Sequence, residues 1–369
     1  MAGLKRTLID DPRYGRRLEA CLERPTLLVA LTNICNLACA YCSTRNIRQP
    51  KVNMDPALAR SLVDQALEQG WPLSFGQTYE PFLHPGIEAI ITYVHDRGGR
   101  FRSATNALAI RRAAFDLPMD LLISYSADAA DYAYRGATLS FEAYQRRLLR
   151  FLRHRLEQAV PGTMAVQIAD YSIFQGALAY DKAIADSDGI LAKTRALADR
   201  LDLSVAVDGQ TARERIAARQ PVVLFKDGPC RLEVQPTKIM PNSYDAFVAL
   251  PETVEPAGYC DSCHTMLSVQ ADGGAAFCCC DPTARARAGR LAPDTDVRAF
   301  WRGPEMTRIR EGFRAFRPVH RFCAQCLANT SERIKPLLTV VDPAVVAAIL
   351  RDHGVTTDQP WFRFPAARP

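Results

Sequence analysis

Short apolar runs alternate with amphipathic stretches between residues 27 and 208 of this chain. The amphipathic stretches have apolar residues at helical spacing, as in MDPALARSLVDQALEQG, while the apolar runs are rich in β-branched residues. Strands that alternate with helices form parallel βαβ units with right-handed crossovers. The pattern predicts an α/β fold, a barrel or an open sheet, with its chemistry at the carboxyl ends of the strands. The predicted strands are LLVALTNI, WPLSFG, RFRSATN, DLLISYS, MAVQIAD and LSVAVD.

The alternation stops near residue 211, where a Pro-rich and turn-rich stretch begins. Beyond it, TMLSVQADGGAAFCC predicts a hairpin with a DGG turn, VRAFWRGPEMTRIREGFRAF one amphipathic helix, and RFCAQC a closing loop. The composition change predicts a domain junction. We expect an N-terminal segment over 1–24, a barrel domain over 25–215, a second domain over 216–335, and a helix and tail over 336–369.

Composition excludes several classes of protein. The 369 residues are 48% hydrophobic and 23% charged, the balance of an ordinary soluble protein. The N-terminal residues lack a secretory signal, and no run of apolar residues is long enough to span a bilayer, so we expect a cytoplasmic protein without a membrane partner. The net charge of +6 is spread without long single-sign blocks, so we expect no nucleic-acid partner.

Ten of the twelve cysteines fall into two groups. Clustered cysteines in a chain without an export signal indicate metal or redox chemistry rather than disulfides. Cys21 and Cys230 lie outside both groups. The first group is Cys35, Cys39 and Cys42, and the second is Cys260, Cys263, Cys278, Cys279, Cys280, Cys323 and Cys326.

The first group, with spacing C-x3-C-x2-C, supplies three thiolates from one loop. Three thiolates suit a [4Fe-4S] cluster whose fourth iron has no protein ligand. Such an open iron can chelate the amino and carboxylate groups of a small molecule, whereas a fully ligated cluster only transfers electrons. A zinc knuckle or three buried thiols are the alternatives.

This loop resembles that of the radical S-adenosylmethionine (SAM) superfamily, whose CxxxCxxC motif often has an aromatic residue before the last cysteine, here Tyr41. The resemblance implies a partial (β/α)6 TIM-like barrel in which the loop follows the first strand. It also implies a catalytic [4Fe-4S] cluster that cleaves S-adenosyl-L-methionine to methionine and a 5'-deoxyadenosyl radical. A flavodoxin or ferredoxin would then supply the electron.

The resemblance extends to residues that would bind S-adenosylmethionine. In FGQTYEPFLHP, Thr78 and Tyr79 replace both glycines of the family's GGEP stretch, while Glu80 and Pro81 are kept, so Glu80 would accept from the methionyl amino group. The alternative is an ordinary turn before a helix. Asn106 would be the polar residue at the end of the third strand, or a plain Asn turn.

Four further residues follow from the same resemblance. Ser124 and Arg135 are candidates for holding the methionyl carboxylate, a contact that arginine geometry favours. A structural serine and a surface arginine are the alternatives. Gln167 and Asp170 would reach the barrel mouth if MAVQIAD is the fifth strand.

In the second group, Cys260, Cys278, Cys323 and Cys326 could saturate a [4Fe-4S] cluster or form a zinc site. The surrounding sequence, with its CxxC pairs, its DGG turn and Arg308 before FCAQC, resembles a SPASM or twitch extension. No cysteine follows Cys326, so the resemblance implies one auxiliary cluster rather than two. Cys263 could replace Cys260, and the choice among the cysteines at 278–280 depends only on their offset from the turn.

The resemblance leads to several functions. In a sugar or aminocyclitol dehydrogenase, the substrate would lose hydrogen from a carbinol carbon and a proton to Asp170 or Asp128. The auxiliary cluster would accept the electron. An epimerase would return hydrogen from a thiol, for which Cys230 is the candidate. A peptide-modifying enzyme is less expected, because 34 residues before Cys35 are too few for a leader-binding domain. The non-enzyme alternative is a zinc protein whose basic surface contacts RNA or a partner.

Overall fold

The computed structural model describes residues 2–39, 42, 44, 47–76, 78–169, 187–205, 207–218, 220–237, 258–278, 281, 284–329 and 343–354. Its strands all belong to one mixed sheet. They are β1 (Thr26–Val29), β2 (Leu73–Phe75), β3 (Arg102–Thr105), β4 (Asp120–Ser124), β5 (Gly162–Ala169), β6 (Val222–Asp227), β7 (Cys230–Thr237), β8 (Met266–Val269), β9 (Gly274–Ala276) and β10 (Arg287–Arg290).

Helices connect most of the parallel strands. They are α1 (Ala2–Asp10), α2 (Pro12–Glu23), α3 (Pro56–Glu68), α4 (Ile87–Asp96), α5 (Ala129–Ala133), α6 (Phe141–Glu157), α7 (Ser187–Arg200), α8 (Gly209–Ala217), α9 (Ser262–Thr265), α10 (Val297–Arg302), α11 (Pro304–Arg314), α12 (Arg321–Asn329) and α13 (Pro343–Asp352). Two short 3₁₀ turns cover Pro81–Leu83 and Arg112–Ala114.

The sheet order is β10-β9-β8-β1-β2-β3-β4-β5-β7-β6. Strands β1 to β5 and β7 lie side by side and run parallel, and β8 runs parallel to β1 on its other side. The predicted α/β fold with a parallel core is therefore confirmed. The carboxyl ends of the core strands, where the first cysteine group begins, share one edge of the sheet.

The predicted strand over 203–208 is wrong. The described residues of that stretch form no strand, because α7 ends in a tight turn with Asp202 in the left-handed region at φ 57°. The place next to β5 belongs to β7, where Leu232 and Val234 are buried. Strands β6 and β7 extend the sheet although they follow the junction predicted at residue 215, and the domain limits remain a prediction.

The predicted hairpin is β8–β9, and its turn needs a glycine. Gly273 has φ 82°, and a Cβ there would lie 2.5 Å from the carbonyl oxygen of Leu291. The single helix predicted over 297–316 is divided into α10 and α11 at Gly303, since Pro304 begins a new helix. The predicted loop RFCAQC is also wrong, because these residues form the start of α12.

A buried arginine supports the amino ends of β4 and β5. Arg155 of α6 is fully buried and donates to the carbonyl oxygens of Phe115, Leu117, Met119 and Pro161. Ser140 caps the start of helix α6, because its Oγ accepts from the Ala143 amide.

Across the described ranges, no helix is both long and apolar enough to cross a membrane.

Candidate active site

The loop that carries the first three cysteines leaves the carboxyl end of β1 and folds back along itself. Thr32 and Asn53 form a β-bridge, and the Asn33 amide donates to the Val52 carbonyl over 3.1 Å. The Asn33 side chain makes two hydrogen bonds to the same return segment. Its Oδ1 accepts from the Val52 amide at 2.7 Å, and its Nδ2 donates to the Pro50 carbonyl at 2.7 Å. The two arms of the loop are therefore held together at its base.

The three cysteines of the loop occupy neighbouring positions. The Cys42 amide donates to the Cys39 carbonyl at 3.0 Å, and the Thr44 amide lies 3.4 Å from Cys42 Sγ. Residue Cys35 reaches the surface, yet the surrounding protein desolvates its thiol and raises its pKa to about 12, with smaller contributions from Glu80, Cys39 and Cys42. Tyr41 lies outside the described residues.

The donor set of this loop fits a cluster with an open iron. It offers three thiols on one loop, with Cys39 and Cys42 near enough to raise the pKa of Cys35, and thiolates are the usual ligands of iron–sulfur clusters. No three Cys, His, Asp or Glu side chains in the described ranges converge tightly enough to hold a metal ion. Binding a cluster would therefore draw the three thiols together and release their protons.

Glu80 follows β2 and is fully buried beside this loop. Its Oε1 accepts from Thr105 Oγ1 at 2.8 Å and from the Phe82 amide at 3.2 Å, and its Oε2 accepts from the Asn106 amide at 2.7 Å. Burial raises the pKa of Glu80 to about 7, although the three hydrogen bonds act in the opposite direction. The carboxyl group thus ties the end of β2 to the end of β3, a role that the sequence did not predict.

A glycine and a tyrosine shape the turn between β2 and Glu80. Gly76 has φ 66°, and a Cβ there would lie 2.9 Å from Cγ of Pro81. Tyr79 has φ 69°, a conformation that non-glycine residues rarely adopt. Within this turn, Gly76 is at a position that only glycine fits without strain, whereas Tyr79 adopts a similar φ with a side chain.

Asn106 contacts the cysteine loop, as its predicted position requires. Its Nδ2 donates to Asn36 Oδ1 at 2.8 Å and lies 3.9 Å from Cys35 Sγ. Its Oδ1 accepts from the Leu108 amide at 2.9 Å, which fixes the orientation of the amide group. The side chain therefore stands between the end of β3 and the first cysteine.

Arg135 is buried and pairs with Ser126, not with Ser124. Its Nε donates to Ser126 Oγ at 2.6 Å, and its guanidinium lies 5.7 Å from the ring centre of Tyr144. The Arg135 carbonyl accepts from the Ala38 amide at 3.1 Å, so this segment touches the cysteine loop. The motif LISYSAD contains both serines, and the sequence could not show which one faces the arginine.

Ser124 lies instead at the end of β4, in register with Gln167 of β5. Both residues are half-buried, at the carboxyl end of the sheet where the cysteine loop also lies. The roles predicted for Gln167 at the barrel mouth and for Ser124 at the methionyl carboxylate both stay predictions. Asp170, the next candidate along the chain, lies outside the described residues.

Asp128 and Cys230, the other two residues predicted to be catalytic, occupy positions that the structure defines. Asp128 caps α5 by accepting from the Asp131 amide at 2.8 Å, and it lies 3.6 Å from the Lys193 ammonium, so it serves a helix end. Cys230 is fully buried at the first residue of β7, level with Gly162 at the start of β5. It therefore lies at the amino ends of the strands, far from the edge where a hydrogen donor is needed.

A pocket of about 240 Å³ adjoins the cysteine loop. Residues from the loop, from the ends of β3 and of the Arg135 segment, and from α6 line it. They are Asn36, Leu108, Ala137, Thr138, Leu139 and Arg147.

In the second cysteine group, the Cys263 thiol is the most deeply buried one that the structure describes. Its Sγ lies 3.6 Å from the Cys260 carbonyl and 3.2 Å from His264 Nδ1. Burial raises the pKa of Cys263 well above its ordinary value, and Cys260 and Cys323 raise it further. These three thiols therefore lie near one another, and their chemistry also fits an iron–sulfur cluster.

The other cysteines of this group are less well defined. Cys278 is half-buried after β9, and Cys326 lies in α12, where its side chain is not among the described ones. Cys279 and Cys280 lie outside the described residues.

Arg310 lies beside the second group of cysteines, a position that was not predicted from the sequence. Its Nε donates to the Cys263 carbonyl at 2.9 Å, its Nη2 donates to the Trp301 carbonyl, and its guanidinium stacks 4.1 Å from the Trp301 ring centre. Its charge opposes the rise in the pKa of Cys263. Arg308, the residue chosen from the sequence, is exposed and pairs with Glu305.

Helix α2 also packs on the second group. The Tyr14 hydroxyl donates to Asp261 Oδ2 at 2.7 Å, and both residues are fully buried. Burial and the neighbouring Asp261 carboxylate raise the pKa of Tyr14, so the phenol stays protonated. The N-terminal helices are thus part of the support for Cys260 and Cys263.

A three-thiol loop after the first of several parallel strands, flanked by Glu80 and Asn106, defines a domain that holds a cluster with an open iron. Residues 29–165 match the model of the Radical SAM superfamily. The chain therefore contains a radical SAM domain, whose cofactors are a [4Fe-4S] cluster and S-adenosylmethionine, as predicted.

Solved structures with a similar fold include SuiB from Streptococcus suis. That structure is 14% identical over 86% of this chain and 72% of SuiB, with a TM-score of 0.52. SuiB bound to S-adenosylmethionine is 13% identical over 78% of this chain and 68% of SuiB, with a TM-score of 0.51. At this identity the likeness shows the fold alone.

A further match is BtrN in complex with AdoMet and 2-DOIA, at 15% identity over 79% of this chain and 88% of BtrN. Its TM-score of 0.40 is too low to support an argument. Among curated proteins, none matches the sequence.

Proposed function

We propose that this radical SAM enzyme oxidises a secondary alcohol of a sugar, an aminocyclitol or an aminoglycoside to a ketone. An auxiliary [4Fe-4S] cluster on the second cysteine group would accept the electron, and a flavodoxin or ferredoxin would reduce the catalytic cluster.

The observation that supports this proposal is the pairing of β8 with β1. Strand β1 leads into Cys35, while Cys260 and Cys263 precede β8, which runs parallel to it from Thr26↔Met266 to Val29↔Val269. The two groups of cysteines therefore lie on segments that adjoin opposite ends of the β1–β8 pair. The paired strands span about 10 Å, and the cysteines lie beyond the two ends of this pair.

The bound cluster and S-adenosylmethionine would supply the 5'-deoxyadenosyl radical. This chemistry would remove hydrogen from the carbinol carbon of the substrate, while a base of this chain would take the hydroxyl proton and the auxiliary cluster would accept the remaining electron. Asp170 and Asp128 are the candidate bases, and Asp128 also caps α5 through its Oδ1.

The residues around the cysteine loop have roles in this proposal. Asn106 and Glu80 bind and orient the methionyl part of S-adenosylmethionine, and Arg135 with Ser126 supports the loop and its carboxylate site. Ser124 and Gln167 line the mouth where the substrate alcohol binds. Cys263 is fully buried near Cys260 and Cys323, which supports it as an auxiliary ligand. The cluster would then be held by Cys278, Cys323, Cys326 and either Cys263 or Cys260.

Iron and sulfide content, measured after anaerobic reconstitution, tests the cofactor part of the proposal. We expect about eight iron atoms per native chain and about four in a variant with alanine at Cys35, Cys39 and Cys42. A native content of about four that falls to none would remove the auxiliary cluster and with it the oxidation. Zinc in place of iron would support the zinc-protein alternative.

The substrate is tested with S-adenosylmethionine, dithionite and three alcohols, namely myo-inositol, 2-deoxystreptamine and neamine. We expect 5'-deoxyadenosine and a ketone in equal amounts from at least one of them, with deuterium from the carbinol carbon recovered in 5'-deoxyadenosine. An epimer with solvent hydrogen at the same carbon would instead indicate epimerisation, with a donor other than Cys230. Failure with all three would contradict the proposed substrate class.

Peptide modification is the second candidate. SuiB has been solved bound to its precursor peptide SuiA, and that structure matches this chain at 14% identity over 84% of this chain and 71% of SuiB, with a TM-score of 0.51. The likeness extends to the fold alone.

A further inference from the structure

Tyr79 occupies a backbone conformation that does not suit its side chain. Its φ of 69° lies in the left-handed region, where L residues with a Cβ are strained. Such strain persists only where surrounding contacts hold the residue in place. The contacts of Tyr79 therefore indicate which interactions offset the strain of its backbone.

Those contacts join the two arms of the cysteine loop. The Tyr79 hydroxyl accepts from Gln49 Nε2 at 2.8 Å, and Gln49 lies on the return segment after the last cysteine. The next amide, that of Glu80, donates at 3.0 Å to the carbonyl of Ile34, which directly precedes Cys35. Residues 79 and 80 therefore hold the loop on both sides of its cysteines.

The phenol ring is partly shielded from solvent. Tyr79 is half-buried, and burial raises its pKa to about 12. The bonds of residues 79 and 80 to Gln49 and Ile34 place this half-buried ring against the loop that carries Cys35 and Cys42.

We propose that Tyr79 is a positioning residue that fastens the cysteine loop through Gln49 and covers the side of the loop near Cys35 and Cys42. This role rests on the radical SAM cluster described above. Its consequence is slower loss of iron and slower entry of solvent and oxygen.

The test compares Tyr79→Phe, Gln49→Ala and the double variant after anaerobic reconstitution. Tyr93→Phe is the control, because it removes the same hydroxyl group from a tyrosine of α4 that is away from the loop and donates to Asp64 of α3. Iron release to ferrozine and bleaching of the cluster absorbance in air are measured. We expect each single variant to release iron about fivefold faster, since one hydrogen bond is lost, and the double variant to add nothing further.

A fourth variant separates the ring from the backbone strain. Tyr79→Gly relieves the strained φ but removes the ring, so we expect it to release iron faster than Tyr79→Phe. Release as slow as in the native chain would overturn the proposed cover. Additive effects of Tyr79→Phe and Gln49→Ala, or an equal effect of Tyr93→Phe, would overturn the proposed fastening.

Hydrogen exchange of the metal-free chain keeps this test independent of the cluster. The amides of Val52 and Met54 are protected by bonds to Asn33 Oδ1 and to the Leu31 carbonyl. Tyr79→Phe should speed their exchange, whereas Tyr93→Phe should not. A chain that takes up no iron but shows this exchange pattern would contradict the proposed function while supporting the fastening, and unchanged exchange would contradict the fastening itself.

Discussion

Replacing Glu80 with glutamine should remove a pH dependence of stability that the buried carboxyl group creates. Burial raises the pKa of Glu80 from 4.5 to about 7 in the folded protein. Between these pH values the folded state binds more protons than the unfolded state, so the free energy of unfolding falls as pH rises. A shift of this size corresponds to about 3 kcal/mol, fully lost above pH 7 and fully retained below pH 4.5.

The assay is urea unfolding of the metal-free native and Glu80→Gln chains between pH 5 and pH 8. At low pH the protonated carboxyl and the amide are alike in charge, and the variant loses mainly the bond from the Asn106 amide, at a cost of about 1–3 kcal/mol. As pH rises, the native chain should lose stability relative to the variant by up to about 3 kcal/mol. Glu68→Gln, on the exposed face of α3, controls for the loss of one negative charge.

The refuting result is a constant or growing advantage of the native chain across this range. A constant advantage would mean that Glu80 ionises as easily in the folded chain as in the unfolded one, and a growing advantage that it ionises more easily. The three donors at Thr105, Phe82 and Asn106 would then outweigh its burial, and the group would be an ordinary bound carboxylate.

Three further predictions follow from side chains away from the loop. Cys230→Ala should leave the yield of 5'-deoxyadenosine and product unchanged and cost about 1 kcal/mol in urea unfolding, since the thiol lies at the amino ends of the strands; loss of product would show that this position was misassigned. Arg155→Met should destabilise the chain by about 3–5 kcal/mol in the same assay, because four carbonyl oxygens lose a buried cationic donor, and a loss under 1 kcal/mol would contradict that role. Arg310→Met should lower the reduction potential of the auxiliary cluster, because a buried positive charge beside Cys263 is removed. An EPR-monitored redox titration checks this, with the potential of the three-cysteine cluster as the internal control.

The parallel core could be predicted because its first five strands are apolar runs separated by helices. The strand β7 could not, since CRLEVQPT lies in a Pro-rich region and its buried Leu232 and Val234 have few apolar neighbours in sequence. That error placed Cys230 near a presumed domain junction. The direction of the strand, which puts Cys230 at the amino edge, is evident only from its pairing with β5.

Within a motif, the sequence did not show which of two residues of the same type makes a given contact. Ser124 and Ser126 are both in LISYSAD, and only the turn after β4 shows that Ser126 meets Arg135. Arg308 and Arg310 differ by about 200° around an α-helix, and the buried positions Ile309 and Phe313 favour Arg310. Helical periodicity would have been a usable signal, had the helix start at Pro304 been recognised.

The arrangement of β1 explains why the cysteine loop needs a contact such as that of Tyr79. Strand β1 is bonded on both sides, to β2 and to β8, so the arm that enters the loop starts from the interior of the sheet. The returning arm belongs to no strand and is held by Asn33 and by Gln49. Opening of the loop should therefore begin on the returning side, where Tyr79 makes its hydrogen bond, and a strained residue can be retained there because it secures the weaker arm.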